Sequence, residues 1–283
     1  MNREMIKDML KRADEGGYAI PSFNYTDLWD LLAIIKAAEA ERAPIILAVN
    51  ALVLQAVSPE ICGALGREAA LKASVPVAHH LDHSFSADEC KAAIDCGYPS
   101  VMIDGSRLDL EDNIKITKEV ADYAHARDVF VEGEMGLIKG KSSEGDYAGG
   151  KFLVEVEGAV ALVESTGIDS LAVGIGTAHG FYEGKPEINF KRLAEVNEAV
   201  SVPLVMHGGT GIPEEDIKKA IKNGINKVNV GTIIHTTMMN GMRRELNRLG
   251  DNQMTLDIVK PVIEEMTTII RGLIKVCMAD GKA

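Results

Sequence analysis

Three features of the sequence predict an α/β protein folded as a closed (β/α)8 TIM barrel with extra C-terminal helices. Short apolar runs rich in β-formers alternate with amphipathic helical stretches from end to end, eight such runs can be counted in 283 residues, and no low-complexity linker divides them. Eight βα units in that length suit a closed barrel better than an open sheet, and residues 1–283 read as one domain.

The predicted strands run from Tyr18 to Phe23, Pro44 to Val49, Val75 to Leu81, Ser100 to Ile103, Val129 to Glu134, Ser170 to Gly174, Pro203 to His207 and Lys227 to Val230. Between them, Leu28 to Arg42, Ala87 to Cys96, Glu111 to Ala126, Val154 to Ser165 and Glu214 to Asn223 carry apolar residues at the helical spacing of three and four. Two segments break the alternation. Gly136 to Lys151 (GLIKGKSSEGDYAGGK) is glycine-rich, polar and too long for a plain βα turn, which predicts a mobile active-site loop. After the eighth strand, Thr232 to Arg248 and Leu256 to Ala279 read as two further helices of the kind that serve subunit contacts.

Composition narrows the function classes. With 46% hydrophobic and 25% charged residues and a mean hydropathy near zero, the chain is neither disordered nor fibrous, and 5% aromatic residues argue against a base- or sugar-stacking platform. Thirty basic against 42 acidic residues give a net charge of −12, which repels a phosphodiester backbone, so no nucleic-acid partner is expected. A small phosphorylated ligand is still compatible, because backbone amides and helix N-termini bind phosphate locally. Cys62, Cys90, Cys96 and Cys277 form no CxxC pair, which fits a reducing cytoplasm rather than a disulfide framework or a cysteine zinc site. The N-terminus has no apolar signal region and no run is long enough to span a bilayer, so a cytoplasmic protein with no membrane partner is expected.

The chemistry-bearing residues cluster at strand ends. His83, His179 and His207 fall at or just past the ends of the third, sixth and seventh strands, and in a β/α barrel those ends converge on one mouth. Three imidazoles with an open fourth position make a catalytic zinc arrangement. In VPVAHHLDHS, Asp82 precedes His83 and projects differently, beside the metal rather than on it, where a carboxylate can move a proton of a substrate hydroxyl. The alternative for Asp82 is an N-cap of the helix that begins near Ser86. Of His79 and His80, strand alternation turns one to the barrel interior and the other to the outer helices.

In VEGEMG, Glu132 and Glu134 share a face and need partners: an ion, a lysine such as Lys227, or a histidine ligand to orient. Glycines after strands six and seven, in VGIGTAHGFY and VMHGGTGI, leave backbone N–H groups bare, and a helix opening near Pro213 adds its N-terminus. Gly208 to Gly211 thus form a plausible anion cradle. The eighth strand, KVNVGT, ends with Asn229 and the Thr232 hydroxyl, completing a phosphate site between strands seven and eight.

Taken together, HLDH, VEGEMG, DSLAVGIGTAHGFY, VPLVMHGGTGIP and INKVNVGT, with PSFN at 21–24, SVMIDGS at 100–106 and a terminal GKA, resemble the class II, metal-dependent ketose-bisphosphate aldolases of the fructose- and tagatose-bisphosphate type. The resemblance covers nearly the whole chain. It implies zinc held by His83, His179 and His207, a second-site metal glutamate at Glu134, and a proton-shuttling Asp82. It implies a carbonyl-binding Asn229, and a dihydroxyacetone phosphate site drawn from Asn24, Gly180, Gly208, Gly209, Thr210, Asn229, Val230, Gly231 and Thr232, with a monovalent cation, Na+ or K+, beside it. A loop acid assisting at the enediolate carbon matches Glu144, with Asp146 as competitor. The partner is then a small phosphosugar, in carbohydrate metabolism such as glycolysis, and the assembly a homodimer or homotetramer.

The sequence also departs from that family. After the second strand a serine-containing glycine-rich loop is replaced by ILAVNALVLQAV, and the Asp-Pro-Arg segment that supplies an arginine to the distal phosphate is replaced by DNQMTLDIVKP. A guanidinium suits bidentate phosphate binding, so its absence favours, as alternative, a ketose 1-phosphate without the distal phosphate. A non-catalytic phosphosugar-binding barrel is a second alternative. A barrel metallohydrolase is disfavoured, because Phe23 and Asn24 stand where an HxH pair is wanted and Asn229 where a metal-binding aspartate is wanted.

Overall fold

The computed structural model describes residues 1–138, 152–182, 184, 186–249 and 254–283. Eight parallel strands pair in chain order: β1 (Ile20–Asn24), β2 (Ile45–Asn50), β3 (Val77–Ser84), β4 (Ser100–Ile103), β5 (Phe130–Met135), β6 (Ser170–Val173), β7 (Leu204–Met206) and β8 (Ile225–Val230). β8 pairs back onto β1, with Asn229 opposite Ser22, and closes the predicted barrel.

The helices of the outer ring include α2 (Leu28–Glu41), α5 (Ala87–Asp95), α6 (Leu110–His125), α7 (Val156–Thr166) and α9 (Glu214–Lys222), close to the predicted spans. Between β2 and β3 the chain forms α3 (Ala51–Ala56) and α4 (Pro59–Lys72), and between β6 and β7 it forms α8 (Phe190–Ala199). The apolar stretch after Asn50 is therefore helical: the Asn50 side chain caps α3 by accepting from the Val53 N–H at 3.1 Å. The two C-terminal helices are α10 (Thr232–Leu249) and α11 (Thr255–Val276), and both pack on α2. The first helix, α1 (Arg3–Gly16), touches β1, β5 and β8. Strands on opposite sides of a barrel meet one helix only if it lies across an end, so α1 covers the N-terminal end. There Asn226 donates to Asp14, and Arg3 pairs with the buried Asp169 at 2.8 Å.

The main apolar core lies between the strands and the helical ring. Inside the barrel a small separate cluster of Met102, Ala172 and Val205 sits among buried polar side chains. Hydrogen bonds between strands that are not neighbours, such as Lys227 of β8 to Glu132 of β5, can only cross that interior.

β3 departs from the predicted span in a way that matters. It does not stop at Leu81 but continues through Asp82 and His83 to Ser84, and its register with β4 shifts between Leu81 and Ser84. His83 there adopts a left-handed φ of 44°. In a regular strand Asp82 and His83 would face opposite sides; the irregularity turns both toward the mouth. The cap of α5 is Ser86, whose hydroxyl accepts from the Glu89 N–H, so Asp82 is not spent as a cap. His80 faces inward and His79 outward, as alternation requires: His80 Nδ1 lies 2.7 Å from Ser100 Oγ, whereas His79 Nε2 lies 2.9 Å from the Tyr25 hydroxyl.

One buried carboxyl on α2 makes stability sensitive to pH. Asp30 is 2% exposed, and burial, helped by the neighbouring Asp27 carboxylate, pushes its pKa from 3.8 up to about 7. Its Oδ2 accepts from the Thr26 N–H, while Oδ1 has no hydrogen-bond partner among the described residues. The folded chain thus keeps a proton that the unfolded chain releases above about pH 4, and stability falls as pH rises from there to about 7. Thermal unfolding from pH 4.5 to 8.5 should show Asp30→Asn losing less stability over that window than the unaltered chain. The difference should level off above pH 7 at a few kcal/mol, about 4 at most.

Candidate active site at the barrel mouth

The C-terminal ends of the strands surround a cavity of about 390 Å³. Asn24, Asn50, Asp82, His179, Gly180, His207, Gly208, Gly209, Thr210, Asn229, Gly231 and Thr232 line it, joined by His235 and Thr236 from the first turn of α10. Of the described residues proposed from sequence, Val230, His83 and Glu134 are not on this lining: Val230 is buried in β8, and His83 and Glu134 line a small adjoining pocket that shares His179. Glu144 and Asp146, with most of the predicted loop, lie outside the described residues.

His83, His179 and His207 come together, with ligand nitrogens within 4.8 Å of one another. His83 and His207 are aimed by carboxylates behind them. His83 Nδ1 lies 3.2 Å from Asp104 Oδ2, and His207 Nε2 lies 3.0 Å from Glu132 Oε1. Each carboxylate only accepts, so each imidazole presents its N–H to the acid and its lone pair on the other nitrogen. Those two remaining nitrogens, His83 Nε2 and His207 Nδ1, face each other at 2.8 Å. Two lone pairs at that distance repel unless a positive charge lies between them. Burial holds His207 well below the usual imidazole range, so it offers a neutral ring to a cation there. The donor set therefore fits a divalent ion held by three imidazoles.

Glu132 is held in turn. Lys227 donates to its Oε2 at 2.7 Å and Ser170 adds a longer bond, while Lys227 also lies 3.3 Å from His80 Nε2. The sequence left Glu132 with three possible partners, and the structure gives it two of them, the lysine and the histidine. Glu134 belongs to an adjoining group with His83 and Asp104, which shares His83 with the three-histidine set. Asp104, whose pKa is raised by burial but lowered further by hydrogen bonds from His83 and Ser106, was not singled out in the sequence, although SVMIDGS contains it.

Asp82 lies between two amides: Asn24 Nδ2 donates to its Oδ2 at 2.7 Å and Asn229 Nδ2 to its Oδ1 at 3.0 Å. Asn229 Oδ1 is buried with no hydrogen-bond partner among the described residues, an acceptor suited to a ligand hydroxyl.

On the other side of the cavity lie the glycine loops, and the helix start beside them is that of α10 rather than the one near Pro213. The Gly209 N–H is not bare, because it donates to the Asn229 carbonyl at 2.9 Å. Gly208 is required where it stands: its φ is 71°, and a Cβ would meet the Ala178 carbonyl oxygen at 2.3 Å. Tyr182 ties the two loops together, its hydroxyl accepting from the Ala178 N–H and donating to the Gly208 carbonyl, both at 2.9 Å. Burial pushes that phenol up to about 12, so it stays a donor. Thr210 Oγ1 accepts from the Ile233 N–H and fixes the start of α10 against this loop.

The carboxylate behind His207 should matter to metal before it matters to chemistry. Glu132→Gln is expected to weaken divalent-metal retention about ten- to a hundredfold in chelator competition, because an amide can present its N–H to the ring and favour the wrong tautomer. Lys227→Met should leave Glu132 buried without its cation and lower unfolding stability by about 3–5 kcal/mol, read by denaturant titration.

The model of the family described as class II fructose-bisphosphate aldolase matches residues 4–282. The 6-phospho-5-dehydro-2-deoxy-D-gluconate aldolase of Halalkalibacterium halodurans is 38% identical, covering 98% of this chain and 97% of its own. The fructose-bisphosphate aldolase of Geobacillus stearothermophilus is 37% identical over 100% and 99%. Among solved structures, the YdjI aldolase of Escherichia coli K12 superposes with a TM-score of 0.86 at 33% identity, over 98% of both chains. A barrel mouth with three converging imidazoles, found in a chain matched almost end to end, leads to one statement of kinship: this protein belongs to the class II fructose-bisphosphate aldolase family and is an aldolase, a carbon–carbon lyase.

Proposed function

We propose that the protein is a zinc-dependent aldolase that reversibly cleaves a phosphorylated ketose to dihydroxyacetone phosphate and an aldehyde. The observation that carries this reading is the position of Asp82, fixed by two amides beside three imidazoles, across a cavity from a glycine and threonine cradle. A zinc ion on His83, His179 and His207 would supply Lewis acidity toward the substrate carbonyl.

The chain's own groups do the rest. The cradle formed by Gly180, Gly208, Gly209, Thr210, Gly231 and Thr232, with the N-terminus of α10, binds the phosphate and holds the reacting carbons over the histidines. The Gly209 contribution is close approach rather than an N–H. Asp82 removes the proton from the C4 hydroxyl as the C3–C4 bond breaks, and the Asn229 amide, which orients Asp82, also meets the substrate oxygen. Glu144, or Asp146 in its place, returns a proton to the carbon left behind. Glu134, with Asp104, would serve a second ion position next to His83. A monovalent cation beside the phosphate, a cytoplasmic setting, a homodimer or homotetramer and a single barrel domain with a mobile loop at about 136–151 complete the reading.

The aldehyde half has its own reading. At the Asn24, Asn50 and Asp82 end, the described lining contains neither Lys nor Arg. This favours a ketose 1-phosphate whose far end has no phosphate over fructose or tagatose 1,6-bisphosphate. The Halalkalibacterium relative, named for a sugar acid with one phosphate, points the same way.

Hydrogen–deuterium exchange at the hydroxymethyl carbon of dihydroxyacetone phosphate, followed by NMR, tests the donor half without a choice of aldehyde. Exchange should stop on chelation, return with zinc and be lost in Glu144→Ala. Asp82→Ala should reduce ketose cleavage about 10²- to 10⁴-fold. Metal-loaded, folded protein that binds dihydroxyacetone phosphate yet exchanges no proton would overturn the aldolase reading for this donor and favour a phosphosugar-binding barrel. A panel of aldehydes with and without a phosphate then decides the acceptor.

A further inference from the structure

The phosphate half of the cavity has one ionisable side chain that the reading above does not use. His235 stands in the first turn of α10 and lines the cavity together with Thr232 and Thr236. Its Nδ1 lies 3.0 Å from Thr26 Oγ1 at the end of β1, which turns the opposite, Nε2 edge of the ring away from that strand. The side chain is 40% exposed, so a bound anion can reach it.

The acidic groups that face the imidazole are Asp30 and Asp27. Asp30 Oδ2 of α2 is 4.0 Å from Nδ1, and Asp27, the cap of the same helix, raises the affinity of the ring for a proton. On its own helix, residues 232–242 carry no other titratable side chain, and the cavity loops Gly208–Gly211 and Gly231 carry none. α11 packs on both α10 and α2 but directs Glu264 to Lys36 and Glu265 to Arg244. Burial, opposed by Asp27, holds the ring below the ordinary histidine range, so the imidazole is neutral at neutral pH in the absence of a ligand. The Thr26 hydroxyl donates to the Asp30 carboxyl, so it accepts the Nδ1–H of the neutral ring, which then presents only a lone pair at Nε2 that a phosphate oxygen rejects; a protonated ring donates from both nitrogens.

Resting on the proposed phosphoketose reading, we infer that His235 is a substrate-binding residue: as a phosphate dianion docks, its imidazole takes a proton from solvent and donates Nε2–H to a phosphate oxygen. The doubly charged ligand and the Asp27 carboxylate together outweigh the burial that keeps the unliganded ring neutral. The contact adds a side-chain cation to a cradle otherwise made of backbone amides and hydroxyls, and it discriminates a phosphate dianion from a neutral triose.

Calorimetric titration of the metal-loaded protein with dihydroxyacetone phosphate at pH 7.5, in two buffers of different ionisation enthalpy, gives affinity and proton stoichiometry together. At that pH the phosphate is already a dianion and contributes little proton exchange of its own. The unaltered protein should take up more protons on binding than His235→Gln, which should bind about ten- to a hundredfold more weakly. His235→Lys should recover most of the affinity without the extra uptake, an outcome that a merely structural role for the ring would not produce. Equal affinity, or equal proton stoichiometry, in His235→Gln and the unaltered protein overturns the inference while leaving the aldolase reading intact. No binding by the unaltered protein sinks both.

Discussion

The arrangement of the mouth depends on an ion pair below it, Lys227 to Glu132, buried inside the barrel at 2.7 Å. Taking both charges out of water costs several kcal/mol each, and their attraction compensates only if the remaining lone pairs and protons are also satisfied. Ser170, His80 and His207 provide that satisfaction. The bond to His207 is thus part of what makes the buried pair tolerable, and it is also what sends the His207 lone pair toward His83. Because β6 and β7 lie between β5 and β8, the pair can form only across the interior of the curled sheet. Closure, tautomer and convergence of the imidazoles are consequences of one another.

A second constraint is local. A proton-moving carboxylate and a metal-facing imidazole are needed side by side, and adjacent residues of a strand point to opposite faces. The irregularity at Leu81 to Ser84, with His83 at φ 44°, removes that conflict. A non-glycine residue held there is under strain, of order 1–3 kcal/mol, and persists only where its surroundings determine it. Here the surroundings are Asp104 and His207 on the two ring nitrogens of His83.

Much of this was legible from the residues. Strand number and order followed from period and composition, because a parallel strand buried on both faces leaves a continuous apolar run that helices interrupt. His79 and His80 were separable by alternation alone. What escaped was whatever depends on register or backbone torsion. The sequence could not show that β3 runs past Leu81 or that the Gly209 N–H is used by the Asn229 carbonyl. Asp104 and His235 were missed for a related reason. Each is an ordinary polar residue at a helix or strand end, and only closure of the barrel brings one to His83 and the other to the glycine loops of the cavity.

The cavity is unequal from end to end, and the inequality bears on what it selects. At one end backbone amides, two threonines and the start of α10 converge, held in place by the Tyr182 clamp and the Thr210 bond to Ile233. At the other, the side chains are two asparagines and Asp82, and the chain beyond Asn50 turns into α3. Groups fixed by the fold bind without reorganising, so interaction energy concentrates at the first end. A ligand anchored there places its reacting carbons by the geometry of the anchor, not by the identity of its far end. On the aldolase reading, the donor half is then selected strictly and the aldehyde half by fit. Asp82 remains the only carboxylate on the described lining, and its two amides hold it in one position whatever leaves.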